Sequence, residues 1–297
     1  MFRSHLIVVA AMLAATPASD WRTMLHAERS SPGDLEVGGE LSGVPAGETR
    51  YVRYEDLLRL PQETYTVADD SNFRGTTEMG GVALSTLAEM LGNSADMIVA
   101  ICYDRYRTNY PKDYLAAHHP ILVLRINGKD RNQWPTTAEN SESMAPYVIS
   151  HPEFKPAFKV LSHEEEPQIP YGVVRIEFRR EAEVFGAIRP PGTWRTDSPV
   201  GMGYVIARQD CFRCHNMGAE GGTMAGRSWL QLAVMADRDP SRFGKIIRDP
   251  AAVTPGAKMP GQPGYDNPTL DALTAYFRSF ASRGANAGAD AGKDSTQ

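Results

Sequence analysis

The sequence predicts an α+β fold in which a mixed α/β domain precedes an all-α domain. Its length of 297 residues favours two domains over one. Apolar runs typical of buried strands occur only before about residue 186, whereas apolar residues beyond it recur at helical spacing. A composition of 42% hydrophobic and 23% charged residues supplies enough apolar side chains for two modest cores.

The first domain, residues 36–184, combines short helices with buried strands. Residues 84–91 place apolar side chains at helical spacing, and Gly92 ends this helix. Continuous apolar runs with β-branched residues at 97–102 and 120–126 predict buried strands. A short helix over 54–60 and a strand over 64–67 are also predicted.

The last strand of the first domain has a different pattern. Residues 170–179 alternate between apolar and charged side chains, and Val174, Ile176 and Phe178 form the apolar face. Strict alternation of this kind predicts a strand that buries only one face.

The second domain, residues 200–283, follows a segment rich in proline and glycine. This segment, residues 186–199, is the predicted linker. The predicted helices beyond it cover residues 203–211, 229–237, 240–247 and 269–280. Residues 284–297 consist mainly of glycine, alanine, aspartate and serine, which predicts a disordered tail.

The N-terminus has the pattern of a secretory signal peptide over residues 1–18. Arg3 and His5 supply positive charge, residues 6–15 are apolar, and Ala18 offers a small residue at the cleavage site. An apolar run of this length is too short to cross a bilayer. The pattern predicts a periplasmic or otherwise exported protein with no transmembrane segment in the mature chain; an uncleaved N-terminal anchor is the alternative.

Charge and cysteine content exclude two classes of protein. A net charge of −5 argues against nucleic-acid binding, which needs basic surface to neutralise phosphates. Three cysteines are too few, and odd in number, for a disulfide framework. Two of them lie close together beside a histidine, and the third, Cys102, is interpreted as a small buried apolar residue.

The run Cys211-Phe212-Arg213-Cys214-His215 predicts covalent attachment of one c-type haem. Two thioether bonds need two thiols at a fixed separation, and the iron needs a nearby imidazole. Cys211 and Cys214 would hold the porphyrin, and His215 would bind the iron. A redox dithiol or a zinc site is disfavoured, because the flanks are helical and no second cysteine pair is present.

Met259 is the predicted second axial ligand of that iron. It lies in the Pro- and Gly-rich segment 255–261, which cannot be helical but can present a side chain over the far haem face. Met217 and Met224 lie too close to the attachment motif, and Met235 falls in a helical pattern that indicates a core position. Ligation by histidine and methionine raises the reduction potential relative to two histidines.

Residues 200–283 resemble the class I cytochromes c. Gly203 lies eight residues before Cys211, as a glycine does in that family, and the Met259-Pro260 pair also matches. The resemblance implies that an aromatic residue of the last helix packs across this glycine. Tyr276 or Phe277 would fill that role.

One departure from the family concerns the residue that accepts a hydrogen bond from the ligand histidine. The family often places a proline carbonyl there, but this chain has Gly226-Arg227-Ser228-Trp229-Leu230. The carbonyl of Arg227 is one candidate acceptor. A second interpretation is that Arg227 and Trp229 contact a haem propionate. A third is that the arginine is a surface residue and the tryptophan a core residue.

Residues 36–184 resemble the sulfite-oxidase-like molybdopterin-binding domain. The resemblance rests on segments in the same order, at residues 54–61, 80–87, 104–106, 111–115 and 170–174. Active members bind molybdenum through a cysteine before the second segment. Here residues 64–74 contain no cysteine. The resemblance therefore implies the fold without a molybdenum centre, and no bound molybdopterin is predicted.

Other polar residues of the first domain have simpler interpretations. His118 and His119, and the acidic run 164–166, are expected to lie in solvated turns and loops. Asp104, Tyr106 and Arg107 follow a buried strand, and lining a pocket is the less favoured of their two interpretations.

Three functions are compatible with these patterns. The favoured hypothesis is an exported monohaem cytochrome that exchanges electrons with a redox protein partner, its first domain serving in docking or ligand binding. The alternative is a periplasmic oxidoreductase whose first domain oxidises a small substrate and passes electrons to the haem. A haem-based sensor is the third. No residue is assigned a catalytic role.

Overall fold

The computed structural model describes residues 21–281, so the predicted signal peptide and the predicted tail lie outside the described residues. The strands are β1 (Leu35–Gly39), β2 (Arg50–Val52), β3 (Glu63–Val67), β4 (Thr77–Ala83), β5 (Met97–Cys102), β6 (Arg107–Pro111), β7 (Ile121–Ile126), β8 (Lys129–Asp130), β9 (Val148–Ser150), β10 (Lys159–Val160), β11 (His163–Glu164), β12 (Val173–Arg179), β13 (Asn216–Met217) and β14 (Glu220–Gly221). The helices are α1 (Tyr54–Leu57), α2 (Leu84–Leu91), α3 (Lys112–His118), α4 (Glu181–Val184), α5 (Pro199–Gln209), α6 (Trp229–Arg238), α7 (Pro240–Arg248), α8 (Pro250–Val253) and α9 (Asn267–Arg278).

Two five-stranded sheets form most of the first domain, which also contains the β10–β11 pair. One has the strand order β2-β1-β12-β5-β6, and its β1–β12 pair is parallel. The other has the order β3-β4-β7-β8, with β9 paired to β7. The predicted strands over 97–102 and 120–126 are the central β5 and β7, which explains their continuous apolar sequence.

The main core lies between the two sheets and helix α2. Its members alternate along each strand, and in β5 they are Ile98, Ala100 and Cys102. Cys102 is a free thiol, 3% exposed, as the sequence indicated. Burial raises the pKa of this thiol, so it stays protonated at neutral pH.

The opposite face of β5 joins the two parts of the chain. Met97 and Val99 pack in a second core with the helices that follow residue 199. Phe185, just before the predicted linker, and Ile188, within it, belong to this core as well. The fold class is therefore α+β, as predicted, and the helical region packs directly on the first sheet.

The alternation predicted for residues 170–179 needs one correction. Val173, and not Val174, joins Ile176 and Phe178 in the main core. The register of β12 against β5 shifts between Val173 and Arg175, which is the signature of a β-bulge. A bulge inserts one residue and so reverses the face on which the preceding side chains lie.

The helical region begins earlier than the periodicity predicted. Ser198 caps α5 by accepting a hydrogen bond from the Gly201 N–H, and Pro199 occupies the first turn. Ser228 and Gln231 form a complete capping box at the start of α6. Within residues 21–281, no helix is both long enough and apolar enough to cross a membrane.

A short antiparallel hairpin, β13–β14, interrupts the helical region and was not predicted. Asn216 pairs with Gly221, and Met217 pairs with Glu220. Two-residue strands leave no measurable alternation in a sequence, so periodicity cannot detect them. The hairpin follows directly after His215.

The expectation that His118 and Glu165 are solvated is wrong. His118 is 2% exposed, stacks on Phe154, and bonds through Nε2 to a Glu165 carboxylate oxygen at 3.1 Å. Glu165 is 6% exposed. The two segments are distant in sequence but pack against each other, and each thereby screens the other from water. His119 ends α3 in the left-handed conformation and is exposed, as expected for a turn residue.

His151 is expected to make the protein acid-sensitive. Burial and the neighbouring His118 lower its pKa from 6.5 to about 3, and its Nε2 lies 2.9 Å from the Tyr114 hydroxyl. Between pH 6.5 and 3 the unfolded chain binds a proton that the folded protein does not. His151 therefore makes its full contribution to the free energy of unfolding above pH 6.5. Below that pH the contribution falls by about 1.4 kcal/mol per pH unit.

Urea unfolding of His151→Asn, measured at pH values between neutral and about pH 4, should show a shallower fall in stability than wild type. His119→Asn is the matched control, because that exposed left-handed position suits asparagine. An unchanged slope in His151→Asn would exclude His151 as the source of the acid sensitivity.

Candidate functional site

The predicted attachment motif forms one tight turn at the end of α5. The Cys214 and His215 N–H groups both donate to the Cys211 carbonyl, at 3.2 and 2.9 Å. Cys211 and Cys214 are free thiols. Burial raises the pKa of Cys214 to about 11 and also raises that of Cys211, so both are protonated at neutral pH. The turn brings two thiols and one imidazole together.

The His215 ring is held in a defined tautomer. It is 8% exposed, and its Nδ1 lies 2.6 Å from the Arg227 carbonyl oxygen. A carbonyl only accepts, so Nδ1 donates and the neutral ring leaves Nε2 without a proton. Burial lowers the pKa of His215 and keeps the ring neutral. The ring can thus bind a metal through Nε2. The Arg227 carbonyl, one of the candidates from the sequence, is the acceptor of its hydrogen bond.

An apolar cleft opens beside this turn. Cys211, Cys214 and His215 form part of its wall, and Met259 and Pro260 form another part. Apolar side chains from four helices complete the lining: Ile206, Leu232, Phe243, Ile246, Ile247, Leu273 and Phe277.

Met259 reaches the cleft from a non-helical segment, as the sequence predicted. The segment follows α8, and Gly256 in it has a φ of +79°. The Gln262 N–H donates to the Ile247 carbonyl at 2.8 Å, which anchors the segment to α7. Met259 is 36% exposed and packs in none of the cores of the described residues. Met235 also lines the cleft, from α6.

Gly203 lies where α5 crosses α9. A Cβ at this position would lie 2.1 Å from the Ala272 carbonyl oxygen and 2.7 Å from Tyr276 Cβ. Only a glycine permits this approach, so Tyr276, rather than Phe277, is the aromatic residue that packs across it. Trp229 packs on Phe277 with a centroid distance of 4.8 Å and is fully buried, which favours its core interpretation.

The first domain supplies part of the cleft wall. Tyr106 follows β5, and Glu166 follows β11; both line the cleft. Arg213, between the two cysteines, bonds to the Gln209 carbonyl at 2.6 Å and lies 3.5 Å from the Tyr106 hydroxyl. Burial and the nearby Asp210 raise the pKa of Glu166. From the sequence, a pocket position is the less favoured interpretation for Tyr106, and no local pattern indicates that Glu166 lines a cleft.

A neighbouring group of His163, Glu166 and Asp210 has potential ligand atoms within 4.8 Å of one another. However, both His163 ring nitrogens already have partners, the Tyr265 hydroxyl at 2.8 Å and the Gln209 side-chain oxygen. The Tyr265 hydroxyl also donates to Asp210. These bonds explain why the three residues lie together: they link the two domains.

The cleft fits a covalently bound haem. Its thiols suit thioether bonds, and an unprotonated imidazole nitrogen and a methionine thioether are ligands that haem iron accepts. Most of its wall is apolar, which suits a porphyrin. The buried Nη2 of Arg213 has no hydrogen-bond partner among residues 21–281, although it forms an ion pair with Asp210 Oδ1 at 3.8 Å.

The chain is similar in structure to known proteins. No family model matches the chain, and no curated protein matches it. Among solved structures, the chain is similar to a crystal structure of the sulfane dehydrogenase SoxCD from Paracoccus pantotrophus, with 18% sequence identity and a TM-score of 0.34. The similarity covers 52% of this chain and 40% of that one, so the chain spans less than half of that protein's length.

Proposed function

We propose that the chain is an exported monohaem c-type cytochrome that transfers electrons to or from a redox protein partner. Cys211 and Cys214 hold the haem through thioether bonds, and His215 and Met259 are the axial ligands of its iron. When bound, the haem supplies one-electron oxidation and reduction. The protein's residues bind the haem, orient His215 and exclude water from most of the cleft.

The observation that carries this proposal is the hydrogen bond from His215 to Arg227. A buried histidine beside two thiols could simply be a core residue, but its Nδ1–H donates to a carbonyl, and its Nε2 remains without a proton. A metal-binding histidine typically has this arrangement, because the outer bond fixes the ring and raises the basicity of the ligating nitrogen.

The first domain has a supporting role in this proposal. In this proposal it binds no molybdopterin, because the segment that carries the metal cysteine in active members of the family it resembles contains no cysteine here. It contributes Tyr106 and Glu166 to the cleft wall. This supports a first domain that covers part of the haem and that either docks on the redox partner or binds a ligand. Electron exchange then occurs at the part of the cleft that remains open.

The test is to express the full chain with its N-terminus in a bacterium that attaches c-type haem. Purified protein should give a positive haem stain after denaturing electrophoresis, a mass increase of one haem, and a pyridine haemochrome spectrum typical of two thioether bonds. Cys102→Ser should retain all three signals, since Cys102 lies in the main core. Cys211→Ser combined with Cys214→Ser should lose them. Haem that denaturation removes from the wild-type protein would refute covalent attachment.

Metal analysis separates this function from the oxidoreductase alternative. We expect one equivalent of iron, no molybdenum and no pterin in the purified holoprotein. We also expect a broad panel of small substrates to reduce the haem only when a partner enzyme is added. Stoichiometric molybdenum, or rapid haem reduction by a substrate with the protein alone, would contradict a non-catalytic first domain.

A further inference from the structure

The hairpin after the attachment motif lies directly against the haem-binding turn. The Gly222 N–H donates to the Phe212 carbonyl, and the Ala225 N–H donates to the Cys214 carbonyl, both at 3.0 Å. A Cβ on Gly221 would lie 2.5 Å from the His215 carbonyl oxygen. The return strand therefore packs backbone to backbone on the turn that carries the cysteines and the histidine.

Glu220, at the start of that return strand, is held by the first domain. Its carboxylate accepts from Arg107 at 2.7 Å and from Arg179 at 2.6 Å. The Arg107 side chain is 5% exposed, and its Nε has no hydrogen-bond partner among the described residues. Because the arginine is so deeply buried, Glu220 compensates a charge that water cannot reach. The Thr223 N–H adds a bond to the Arg105 carbonyl at 3.2 Å.

The same segment ends at the group that orients His215. Seven residues after Glu220, the Arg227 carbonyl accepts the hydrogen bond from His215 Nδ1. Between these two points the chain is attached by the bonds of Gly222, Thr223 and Ala225. Glu220 and the acceptor of the histidine are thus the two ends of a short segment that is bonded at three points between them.

We propose that Glu220 is a positioning residue through which the first domain holds the Arg227 carbonyl against His215 and thereby sets the reduction potential of the haem. This inference rests on the proposed function. A strong Nδ1–H bond makes Nε2 more basic, and a more basic ligand stabilises the oxidised iron. Weakening that bond makes the ligand less basic and raises the potential.

The test compares holoprotein of wild type and Glu220→Gln by potentiometric titration and by amide hydrogen exchange. Glutamine keeps a hydrogen-bond acceptor but removes the negative charge that pairs with Arg107 and Arg179. We expect the amides of Gly222, Thr223 and Ala225 to exchange at least about tenfold faster. We also expect the midpoint potential to rise while the haem stays covalently attached.

Glu181→Gln is the matched control. Glu181 in α4 pairs with Arg208 in α5 at 3.4 Å, so it also links the first domain to the helical region, but it does not touch the hairpin. This variant should keep the wild-type potential and the wild-type exchange of the three amides. An equal rise of the potential in Glu181→Gln would overturn the assignment to Glu220.

The outcomes distinguish the two proposals. Wild-type protein without covalent haem refutes the proposed function, and this inference with it. Covalent haem with an unchanged potential in Glu220→Gln overturns the positioning role alone. Because loss of a negative charge raises the potential by itself, Glu220→Asp is measured as well. Aspartate keeps the charge and shortens the reach, so an upward shift of its potential supports the role, and a wild-type potential overturns it.

Discussion

Replacing Gly203 with valine should prevent the helical region from folding around its cleft. The added Cβ would lie 2.1 Å from the Ala272 carbonyl oxygen, a distance that backbone atoms cannot accommodate without separating α5 from α9. α5 leads directly into the turn that carries Cys211, so separating the helices also moves the attachment site. We expect a loss of at least about 3 kcal/mol of stability, because overpacking is compounded by backbone displacement.

Chemical unfolding, monitored by far-UV circular dichroism, measures this loss, and the yield of covalently bound haem reports the second consequence. Gly264→Ala is the control, since a Cβ at Gly264 would meet no heavy atom within 4 Å. Its stability should stay within about 0.5 kcal/mol of wild type. A Gly203→Val protein that unfolds like wild type and carries haem would show that α5 and α9 do not cross closely at this glycine.

Local sequence patterns predicted several of the longer elements of the fold. The continuous apolar run 97–102 became β5 with its bounds unchanged, because a strand buried on both faces needs apolar side chains at every position. Asn127 and Gly128 both have positive φ and join β7 to β8, as this pair does in tight hairpins. Such features depend on a few neighbouring residues, and a sequence read in short windows contains them.

The polar contacts between the two domains had no comparable signal. Arg213 lies near Tyr106, 107 residues earlier in the chain, and Glu220 pairs with Arg107, 113 residues earlier. Nothing in the spacing of these residues indicates that β5 and β6 present them to the helical region. The prediction for His118 and Glu165 failed for the same reason, since tertiary packing, and not the local pattern, determines their burial.

The attachment motif was predictable from local sequence, but its proposed partner Met259 was less so. Cys211, Cys214 and His215 form a local pattern with one dominant chemical use, so the sequence alone suggested the site. Met259 required a second argument, namely that a segment unable to form a helix can reach across a cleft. The structure brings Met259 to the same cleft as His215. Met235 also lies there, so two methionines are candidates for the second ligand of the proposed haem iron.

Replacing Met259 with alanine should remove one axial ligand while leaving the protein folded. Met259 is 36% exposed and lies outside the cores of the described residues, so its truncation should cost no more than about 1 kcal/mol. Without the thioether the iron should become high-spin, and its reduced form should bind carbon monoxide. The midpoint potential should fall, because methionine ligation raises it. Visible absorption and potentiometry measure these changes.

Two variants test whether the effect belongs to Met259. Met224 has nearly the same exposure, 37%, but does not line the cleft, so Met224→Ala should keep the low-spin spectrum and the wild-type potential. Met235 lines the cleft from α6, and Met235→Leu replaces its thioether with an apolar side chain of similar volume. If Met235→Leu becomes high-spin and Met259→Ala does not, the ligand comes from the helix and the predicted role of the 255–261 segment is wrong. If both variants remain low-spin, the second axial ligand is not a methionine of this cleft, and the expected high potential has no structural basis.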